Sequence, residues 1–532
     1  MKRYVLILFT LLGLSSCGKF LEEYSQDLYY AHRWEDLDEL LVGSAYLPHE
    51  ASYTLKDVGT DITHYGQFLH MLTDEIEEVK TTDYSSQDFD IQEMVFGAYT
   101  WQQRIGTTDT YTGYNVENTT WTKSYYHINV CNNILGSLER LDIVDEEDEQ
   151  GYHKVKGEAC FIRAFIYFFL NNLYGKPYDP ATSRTDLGVP LKLTEDVEDI
   201  KYQRNTVQEV YDQVKADLEE ARIHLKAYKG ARKSIYRADY TSAVLLSARV
   251  ALYMQDWKNA SKYAQEVIRL HPVLEDLNGT TAPFDRADNP EEIFSMAGND
   301  NYGIYSNGYK GFQMSRDFYD TYSSDDLRKS RWFWSHGTNV GLCRVEPKAN
   351  WSTLYEPTSP SFYFLNIHSS YDGVRIGVSN ICRFRSAEAY MIEAEAEAYM
   401  GNEDAARKAV NTIRAKRYKA GSKNIDITSS GDLLITDIRA ERRRELVGDG
   451  QRWFDLRRYL VCEKMPESHA IIHDYTYYVD RNSMEKKECH RFVLLPFDKA
   501  YTLGIPHEVL QFNTGMQDNE RYYREYEIVP LD

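Results

Sequence analysis

The chain has 532 residues and a formal net charge of −21, from 61 basic and 82 acidic residues. With 42% hydrophobic and 27% charged residues, its composition is that of a folded protein and excludes wholesale disorder. The acidic balance repels phosphate backbones and no basic patch offsets it, so we expect no nucleic-acid partner. No run of about 18 apolar residues occurs, so the sequence predicts no membrane-spanning helix.

The start of the chain resembles a bacterial export signal. A basic start precedes an apolar stretch over 4–14, which is too short to span a bilayer. The stretch ends in the residues LSSC at 14–17, which resemble a lipobox, where the cysteine becomes acylated. We therefore expect residues 1–16 to be a lipoprotein signal peptide and Cys17 to be lipidated, which anchors the exported chain stably. The alternative is an ordinary export signal with an accidental cysteine.

Six further cysteines are scattered widely along the chain, and none of them forms a CxxC pair. This spacing predicts buried free thiols and indicates neither a disulfide framework nor a zinc site. The six residues are Cys131, Cys160, Cys343, Cys382, Cys462 and Cys489.

Most of the periodic signal along the chain is helical. Apolar residues recur at three-to-four spacing over 152–174, and Gly175 with Pro177 ends that helix. After a polar loop, Thr206 is placed to cap a second helix. The acidic run 145–149 lacks the ligand spacing of a calcium loop, so we interpret it as the solvated start of the first helix.

Two later segments, 240–272 and 386–417, resemble each other, since each contains an alanine-rich helix, a tight turn and a second alanine-bearing helix. In each, two alanines lie twelve residues apart, the interval at which the helices of a tetratricopeptide unit cross closely. With 152–226 as a third unit, the pattern predicts an all-α fold of tetratricopeptide-like repeats. The alternative is a set of ordinary antiparallel helix pairs, since alanine is a good helix former. The alanine pairs are Ala248 with Ala260 and Ala394 with Ala406.

Two long segments, 100–122 and 298–380, show no sustained period and are rich in Tyr, Trp, Gly, Asn, Ser and Asp. Long irregular segments inside a compact protein are usually functional or disordered, and this aromatic content argues against disorder. We therefore expect these segments to form binding loops.

An arginine-rich block in the C-terminal third resembles the signature of the SusD/RagB family. The block reads ERRREL at 441–446 and GQRWFDLRR at 450–458. Further pieces resemble the same family in the same order, among them RAF at 163–165 and GVP at 188–190. The resemblance covers nearly the whole chain, although the two long irregular segments match nothing in it.

The resemblance implies a single domain over 17–532, α-helical, built on four tetratricopeptide-like units and carrying irregular loops that supply a ligand-binding face. It implies a nutrient-binding lipoprotein on the surface of the outer membrane, lying over a SusC-like TonB-dependent transporter. Glycans are the commonest ligands in the family and some members handle peptides. An oligosaccharide is therefore the expected ligand, and a peptide is the alternative. Such members are binding subunits, so no catalytic residue, metal or cofactor is expected.

The arginine-rich block also has a structural interpretation. Arg442, Arg443 and Arg444 lie beside Glu441 and Glu445, so arginine–carboxylate pairs on neighbouring turns can interlock helices. The alternative is a basic site for an anion. Because every arginine of the block has a carboxylate nearby, we favour the structural interpretation.

A sugar ring presents an apolar C–H face and a rim of hydroxyls, so its site needs aromatic platforms beside polar partners. The two irregular segments supply such rings, and Asp74 and Arg104 are candidate polar partners. The candidates from the first segment are Trp101, Tyr111, Tyr114 and Asn118, which precede a helix expected to start at Trp121. Those from the second are Tyr302, Tyr305, Tyr309, Trp332 and Trp334.

Two other classes of function compete with a glycan-binding lipoprotein. A helical cell-surface glycoside hydrolase needs two carboxylates that face each other across a cleft, which counting carboxylates cannot test. A protein-binding scaffold would hold peptides in tetratricopeptide grooves, and that role is compatible with a transporter partner. No HExxH, GxSxG, P-loop or GxGxxG motif occurs, so the sequence favours no enzyme class.

Overall fold

A computed structural model of the chain describes most of its length. The described residues are 31, 33–47, 66–79, 95–107, 115–196, 198–231, 234–296, 311–336, 339–342, 344, 378–379, 381–479 and 485–531. The expected signal peptide at 1–16 and the lipidation site Cys17 lie outside these residues, and both stay predictions.

Helices account for most of the described secondary structure. In chain order they are α1 (Trp34–Leu40), α2 (Asn115–Leu138), α3 (Glu146–Tyr174), α4 (Val207–Ala227), α5 (Tyr240–Tyr253), α6 (Trp257–Leu270), α7 (Arg316–Asp320), α8 (Leu327–Arg331), α9 (Ser386–Tyr399), α10 (Glu403–Arg417), α11 (Gly431–Glu445), α12 (Arg452–Leu460) and α13 (His507–Phe512). A π-helical turn, Leu41–Ala45, continues α1, and 3₁₀ turns cover Gln67–Leu72 and Lys499–Tyr501. Among the described helices, none combines the length and the apolar character needed to span a bilayer.

The longer helices pack against one another in succession. α3 lies between α2 and α4, α5 packs against α4 and α6, and α9 joins α6 to α10 and α11. All four alanines at the expected helix crossings are fully buried, as close approach of two helices requires. One residue in the turn of each helix pair has a left-handed backbone: Gln255 between α5 and α6, at φ 61°, and Gly401 between α9 and α10, at φ 82°. The tetratricopeptide-like, helix-rich fold expected from the sequence is confirmed.

Two of the long helices begin at capped positions. α3 starts before 152 because the Asp145 carboxylate accepts a hydrogen bond from the N–H of Asp148 at 2.9 Å. The acidic run is therefore the first turn of this helix, where negative side chains interact favourably with the helix dipole. At α4, the Thr206 hydroxyl accepts from the Glu209 N–H at 3.2 Å, and the Glu209 carboxylate accepts from the Thr206 N–H at 2.8 Å.

Short antiparallel strands accompany the helices, so the description all-α omits a small β component. The strands are β1 (Ile76–Glu78), β2 (Glu292–Ser295), β3 (Phe312–Met314), β4 (Phe333–His336), β5 (Asn339–Leu342), β6 (Arg383–Arg385), β7 (Ile471–Tyr478), β8 (Lys486–Leu494) and β9 (Tyr526–Val529). In the described part of the chain, β1 pairs with β3, β2 with β6 and β4 with β5. A three-stranded sheet has the order β7-β8-β9.

Both segments expected to be irregular contain regular structure. Within 298–380 the described residues form β3, α7, α8, β4 and β5. Helix α2 begins at Asn115 and not at Trp121, so the end of 100–122 is helical. Trp121 packs inward, with its ring 4.9 Å from that of Tyr174 on α3.

A buried network of arginines and carboxylates lies around Glu445. Its carboxylate accepts hydrogen bonds from Arg328 at 3.0 Å, Arg385 at 3.0 Å and Arg417 at 2.9 Å. Burial alone would raise the pKa of Glu445, but the charges of Arg417 and Arg385 lower it to about 2. Because these arginines belong to α8, β6 and α10, the network joins segments that are distant in sequence.

The arginines of the signature block take part in the same kind of pairing. Arg442 pairs with Asp455 at 2.8 Å, and Arg458 donates to both oxygens of Glu395 at 2.6 and 2.7 Å. Arg444 pairs within its own helix, with Glu441 at 2.7 Å. These contacts agree with the structural interpretation. They also show that the block connects separate elements of the fold.

A further buried arginine ties the C-terminal segment to the helical body. Arg521 donates to the carbonyl groups of Ala500 and Thr502, at 2.8 and 2.9 Å, and also to those of Trp101 and Gln102. Burial lowers the pKa of Arg521 to about 9. The backbone around Trp101 is therefore held by the last part of the chain.

Candidate functional site

Trp101, an expected ligand contact, is a core residue. Its ring is fully buried, its Nε1–H donates to the carbonyl of Leu72 at 3.0 Å, and it stacks on His473 with centroids 4.3 Å apart. Its backbone is left-handed, at φ 51°. A ring without an exposed face cannot offer a platform to a sugar, so this expectation is wrong.

Trp332 is also a core residue and not a ligand contact. Its ring is fully buried and lies 4.6 Å from the ring of Phe284. The guanidinium groups of Arg328 and Arg344 lie 5.9 and 5.5 Å from its centroid, within cation–π range. The residue therefore supports the buried arginine network.

The two expected polar partners are engaged in holding the fold. Asp74 accepts two hydrogen bonds from Arg452, both at 2.8 Å. Burial alone would raise the pKa of Asp74, but Arg443 and Arg452 hold it well below its usual range. Arg104 donates to Asp518 at 2.7 Å and is half-buried. Asp74 thus has a structural role, and a ligand contact for Arg104 stays a prediction.

The remaining candidates stay predictions because their side chains lie outside the described residues. Asn118 belongs to α2 and Trp334 to β4, but neither side chain is described. The others are Tyr111, Tyr114, Tyr302, Tyr305 and Tyr309. Of the expected aromatic residues, only Trp101 and Trp332 have described side chains, and these two are core residues.

A different set of residues forms an open groove beside α2. The groove has a volume of about 770 Å³ and lies between the π-helical turn, α2, the loop before α5 and the end of β2. Its walls are mainly apolar, with polar groups at intervals, which is the usual character of a small-ligand site. It is lined by Val42, Gly43, Ser44, Tyr46, Leu47, Thr122, Lys123, Tyr126, His127, Tyr236, Arg237, Ser295 and Met296.

The π-helical turn shapes one wall of the groove. Leu41 and Ala45 at its two ends are fully buried, while Val42 is exposed and lines the groove with Gly43 and Ser44. Single π-turns are rare, and they occur frequently at functional sites. Opposite it, the His127 ring on α2 donates through Nδ1 to the carbonyl of Ser44 at 2.8 Å. Burial lowers the pKa of His127 to about 4, so this link is formed by a neutral imidazole.

Charged groups fix the groove's floor. The Tyr46 hydroxyl donates to the Glu158 carboxylate and accepts from the Ala238 N–H at 2.9 Å. Arg237 donates to Glu158 at 2.6 and 2.9 Å and also pairs with Asp38. Burial alone would raise the pKa of Asp38, but Arg237 and Lys154 lower it. The floor is therefore held by a network that joins α1, α3 and the loop before α5.

Tyr126 supplies an exposed aromatic face at the mouth of the groove. The side chain is 55% exposed, and its ring stands nearly perpendicular to that of His127, at an interplanar angle of 80°. Tyr236 lies in the same groove and is half-buried. An arrangement of this kind can stack against a flat apolar surface while its hydroxyls and nearby polar groups form hydrogen bonds.

The groove adjoins both segments that the sequence singled out. Thr122 is the last residue of 100–122, Tyr126 follows it on α2, and Met296 lies two residues before 298–380. The groove therefore lies beside these segments, although Trp101 and Trp332 do not line it. Tyr126 could have been recognised from the helical pattern, because it does not lie on the buried face of α2 that carries Ile128.

Two family profiles match the chain. One, described as "Starch-binding associating with outer membrane", matches residues 52–252, and the other, described as "SusD family", matches residues 276–523. SusD-like protein P38 of Formosa agariphila is 26% identical over 354 residues, covering 56% of this chain and 65% of that protein. The chain thus spans under two thirds of the length of this relative.

Solved structures share the fold over nearly the whole chain. A SusD-like carbohydrate binding protein from Bacteroides vulgatus is 18% identical with a TM-score of 0.62, and covers 91% of this chain and 98% of its own. A SusD superfamily protein from Bacteroides thetaiotaomicron is 20% identical with a TM-score of 0.65, over 92% of this chain and all of its own. At these identities the likeness concerns the fold alone.

Proposed function

Because this chain belongs to the SusD/RagB family, we propose that it is a surface lipoprotein that binds an oligosaccharide and delivers it to a SusC-like TonB-dependent outer-membrane transporter. The observation that carries the ligand proposal is the groove beside α2, with the exposed ring of Tyr126 at its mouth. Cys17 would carry the lipid anchor in this proposal, and the family description places such proteins at the outer membrane.

The chemistry of the groove suits a sugar. The C–H face of a sugar ring stacks on Tyr126, and further apolar contact comes from Val42 and Met296. Hydroxyl groups at the ring edge meet Thr122 and the phenol of Tyr236, which have both donor and acceptor capacity. A ligand is thus held by aromatic contact and orientated by a few hydrogen bonds.

The side chains that line the groove suit ligand binding better than catalysis. Its described lining contains no carboxylate side chain, and the nearby Asp38 and Glu158 form ion pairs with Arg237. A glycosidase needs two carboxyl groups across the scissile bond, and the described walls do not supply them. This supports a binding subunit over the glycoside hydrolase considered above.

A peptide ligand remains the second candidate, and one observation favours it. The walls contributed by Leu47, Val42 and Met296 are aliphatic and accept an apolar side chain as well as a sugar face. A peptide would also need hydrogen-bond partners for its backbone amides. A variant that loses only the aromatic ring of Tyr126 should therefore weaken the binding of a peptide less than that of a sugar.

The experiment is a binding survey with the soluble protein, truncated after Cys17, against arrays of oligosaccharides and peptides. We expect an oligosaccharide signal in the wild-type protein that falls at least tenfold in Tyr126→Ala. Ile472→Ala is the matched control, since that side chain is similarly exposed but belongs to β7, outside the groove.

Binding of peptides alone would overturn the glycan proposal in favour of the second candidate. An oligosaccharide signal that survives Tyr126→Ala unchanged would overturn the location of the site. Release of shortened sugars during the assay would contradict the absence of catalysis.

A further inference from the structure

A second surface combines exposed aromatic side chains with a strand edge that pairs with no other strand of the described residues. Of the 22 large hydrophobic side chains exposed in the described residues, eight lie within 495–531. That stretch is under a tenth of the described chain, so exposed apolar side chains are more frequent in it than its length alone would give. Concentrated exposed apolar groups mark sites of protein or membrane interaction. We name five of these residues the C-terminal patch: Leu495, Phe497, Tyr522, Tyr523 and Ile528.

An ion pair holds the two halves of the patch together. Arg524 donates to both oxygens of Asp498, at 2.8 and 3.1 Å, and also to the carbonyl of Val493 at 3.0 Å. The turn that carries Phe497 is therefore fixed beside the segment that carries Tyr523. The exposed rings of Phe497 and Tyr523 are therefore carried by segments that this ion pair joins.

Phe497 occupies a position that normally requires glycine. It follows Pro496 in a turn closed by a hydrogen bond from the Asp498 N–H to the Leu495 carbonyl, at 3.1 Å, and its φ is 60°. A side chain is strained in this left-handed conformation. Because the ring is 66% exposed, burial does not offset that strain. A strained residue whose side chain is not stabilised by burial in its own chain is a candidate for a contact with another molecule.

The edge of β9 extends the patch. β9 pairs with β8 from Phe492↔Tyr526 to Cys489↔Val529, and no strand among the described residues pairs with its other edge. The N–H and C=O groups of a free edge are matched by an extended polypeptide, whereas a lipid surface does not complete a β-ladder.

The charges around the patch favour the same class of partner. Glu520, Glu525 and Glu527 flank the exposed rings, while the cations Lys499 and Arg524 are paired with Glu520 and Asp498. These carboxylates repel an anionic membrane surface and attract a basic segment, while a neutral segment meets no such repulsion.

We propose that the C-terminal patch and the free edge of β9 dock an extended, neutral or basic segment of a partner protein, which adds to the sheet as a fourth strand. The inference rests on the transporter partnership proposed above, and it assigns to this surface the contact with that partner. The groove beside α2 belongs to a different part of the fold and stays available to the ligand.

The experiment purifies the full-length lipoprotein with a tagged SusC-like transporter of the same organism, from native membranes in detergent. The readout is the amount of lipoprotein recovered per transporter. We expect Phe497→Gly and Tyr523→Ser each to lower recovery at least fivefold. Leu433→Ser, which removes an equally exposed side chain on α11, should leave it unchanged. Phe497→Gly should also raise the melting temperature, because glycine relieves the strained φ.

The outcomes separate the two proposals. No recovery of the wild-type lipoprotein would refute the partnership itself, whereas equal recovery of all variants would refute the patch alone. A lower melting temperature in Phe497→Gly would show a structural role and overturn the argument from strain. A dimer of the soluble chain, or flotation with phosphatidylglycerol vesicles, that Phe497→Gly abolishes would reassign the patch to a second copy or to a membrane.

Discussion

Arg237 donates two hydrogen bonds to Glu158, at 2.6 and 2.9 Å, at the floor of the groove, which Tyr46 also lines. Glu158 belongs to α3, which packs between α2 and α4, so the pair connects the site to a helix most of whose residues are buried. The groove is therefore positioned by contacts within the helical scaffold.

Removing the Glu158 carboxylate should destabilise the protein and weaken ligand binding together. Glu158→Ala removes one of the two carboxylates that pair with Arg237 and leaves Asp38 as the other, so we expect a loss at the lower end of the about 3–5 kcal/mol that breaking a buried pair costs. Denaturant unfolding should show this loss. Glu149→Ala is the control, since Glu149 lies exposed in the first turn of the same helix, and it should change stability by under about 0.5 kcal/mol. A loss of similar size in both variants would contradict the buried-pair account.

Tyr126 should contribute to binding through its ring more than through its hydroxyl. We expect Tyr126→Ala to cost about 2 kcal/mol of binding free energy, as for an aromatic anchor at a binding site. Tyr126→Phe should retain most of the affinity. Because the side chain is more than half exposed, the melting temperatures of both variants should match the wild type. Calorimetric titration with the oligosaccharide found in the survey measures these effects, and equal losses in both variants would show that hydrogen bonding dominates.

Acid should destabilise the fold through His127. Its pKa falls from the ordinary 6.5 to about 4 on folding because burial disfavours the imidazolium. Below pH 6.5 the unfolded chain takes up a proton that the folded chain does not. The free energy of unfolding then decreases with falling pH, by about 1.4 kcal/mol per pH unit for this group, until pH 4 is reached.

His127→Gln should reduce that pH dependence. His473 and His224 also have pKa values lowered to about 4, mainly by burial, so the variant keeps their share of the slope. Urea unfolding between pH 4 and 7 measures the difference. A slope identical to that of the wild type would mean that the pKa of His127 is the same in the folded and the unfolded chain.

Trp332 should matter for stability and not for affinity. Trp332→Ala removes a fully buried ring that packs on Phe284 beside the arginine network, and such truncations cost about 3–5 kcal/mol. Any folded fraction should bind the oligosaccharide with wild-type affinity, because the ring does not line the groove. Unfolding curves and titrations of the same preparation test this. A weakened affinity without a loss of stability would return Trp332 to the ligand site.

Much of the helical fold was predictable because its signals are local. The cap at Thr206 and the buried alanines at Ala248 and Ala260 depend on neighbours within one or two turns. The strands were harder, since β2 pairs with β6 across nearly ninety residues and neither strand is longer than four residues. Short pairings between distant segments leave little trace in the pattern of one sequence.

The site was predicted less well than the fold. Aromatic residues in irregular segments are equally suited to a core, and Trp101 shows why, since its ring is covered by contacts from Leu72 and His473. Burial of that kind depends on segments hundreds of residues apart. The groove likewise joins the π-helical turn, α2 and the loop at Tyr236, which only the folded chain brings together.

Hydrogen exchange with and without the bound oligosaccharide tests the central claim most directly. Exchange of backbone amides is followed by mass spectrometry on peptides that cover the described chain. The account predicts slower exchange on binding in peptides that contain 41–47 and 122–127, with 495–531 unchanged. Protection confined to other segments, with none at 41–47 or 122–127, would contradict the assignment of the groove as the ligand site.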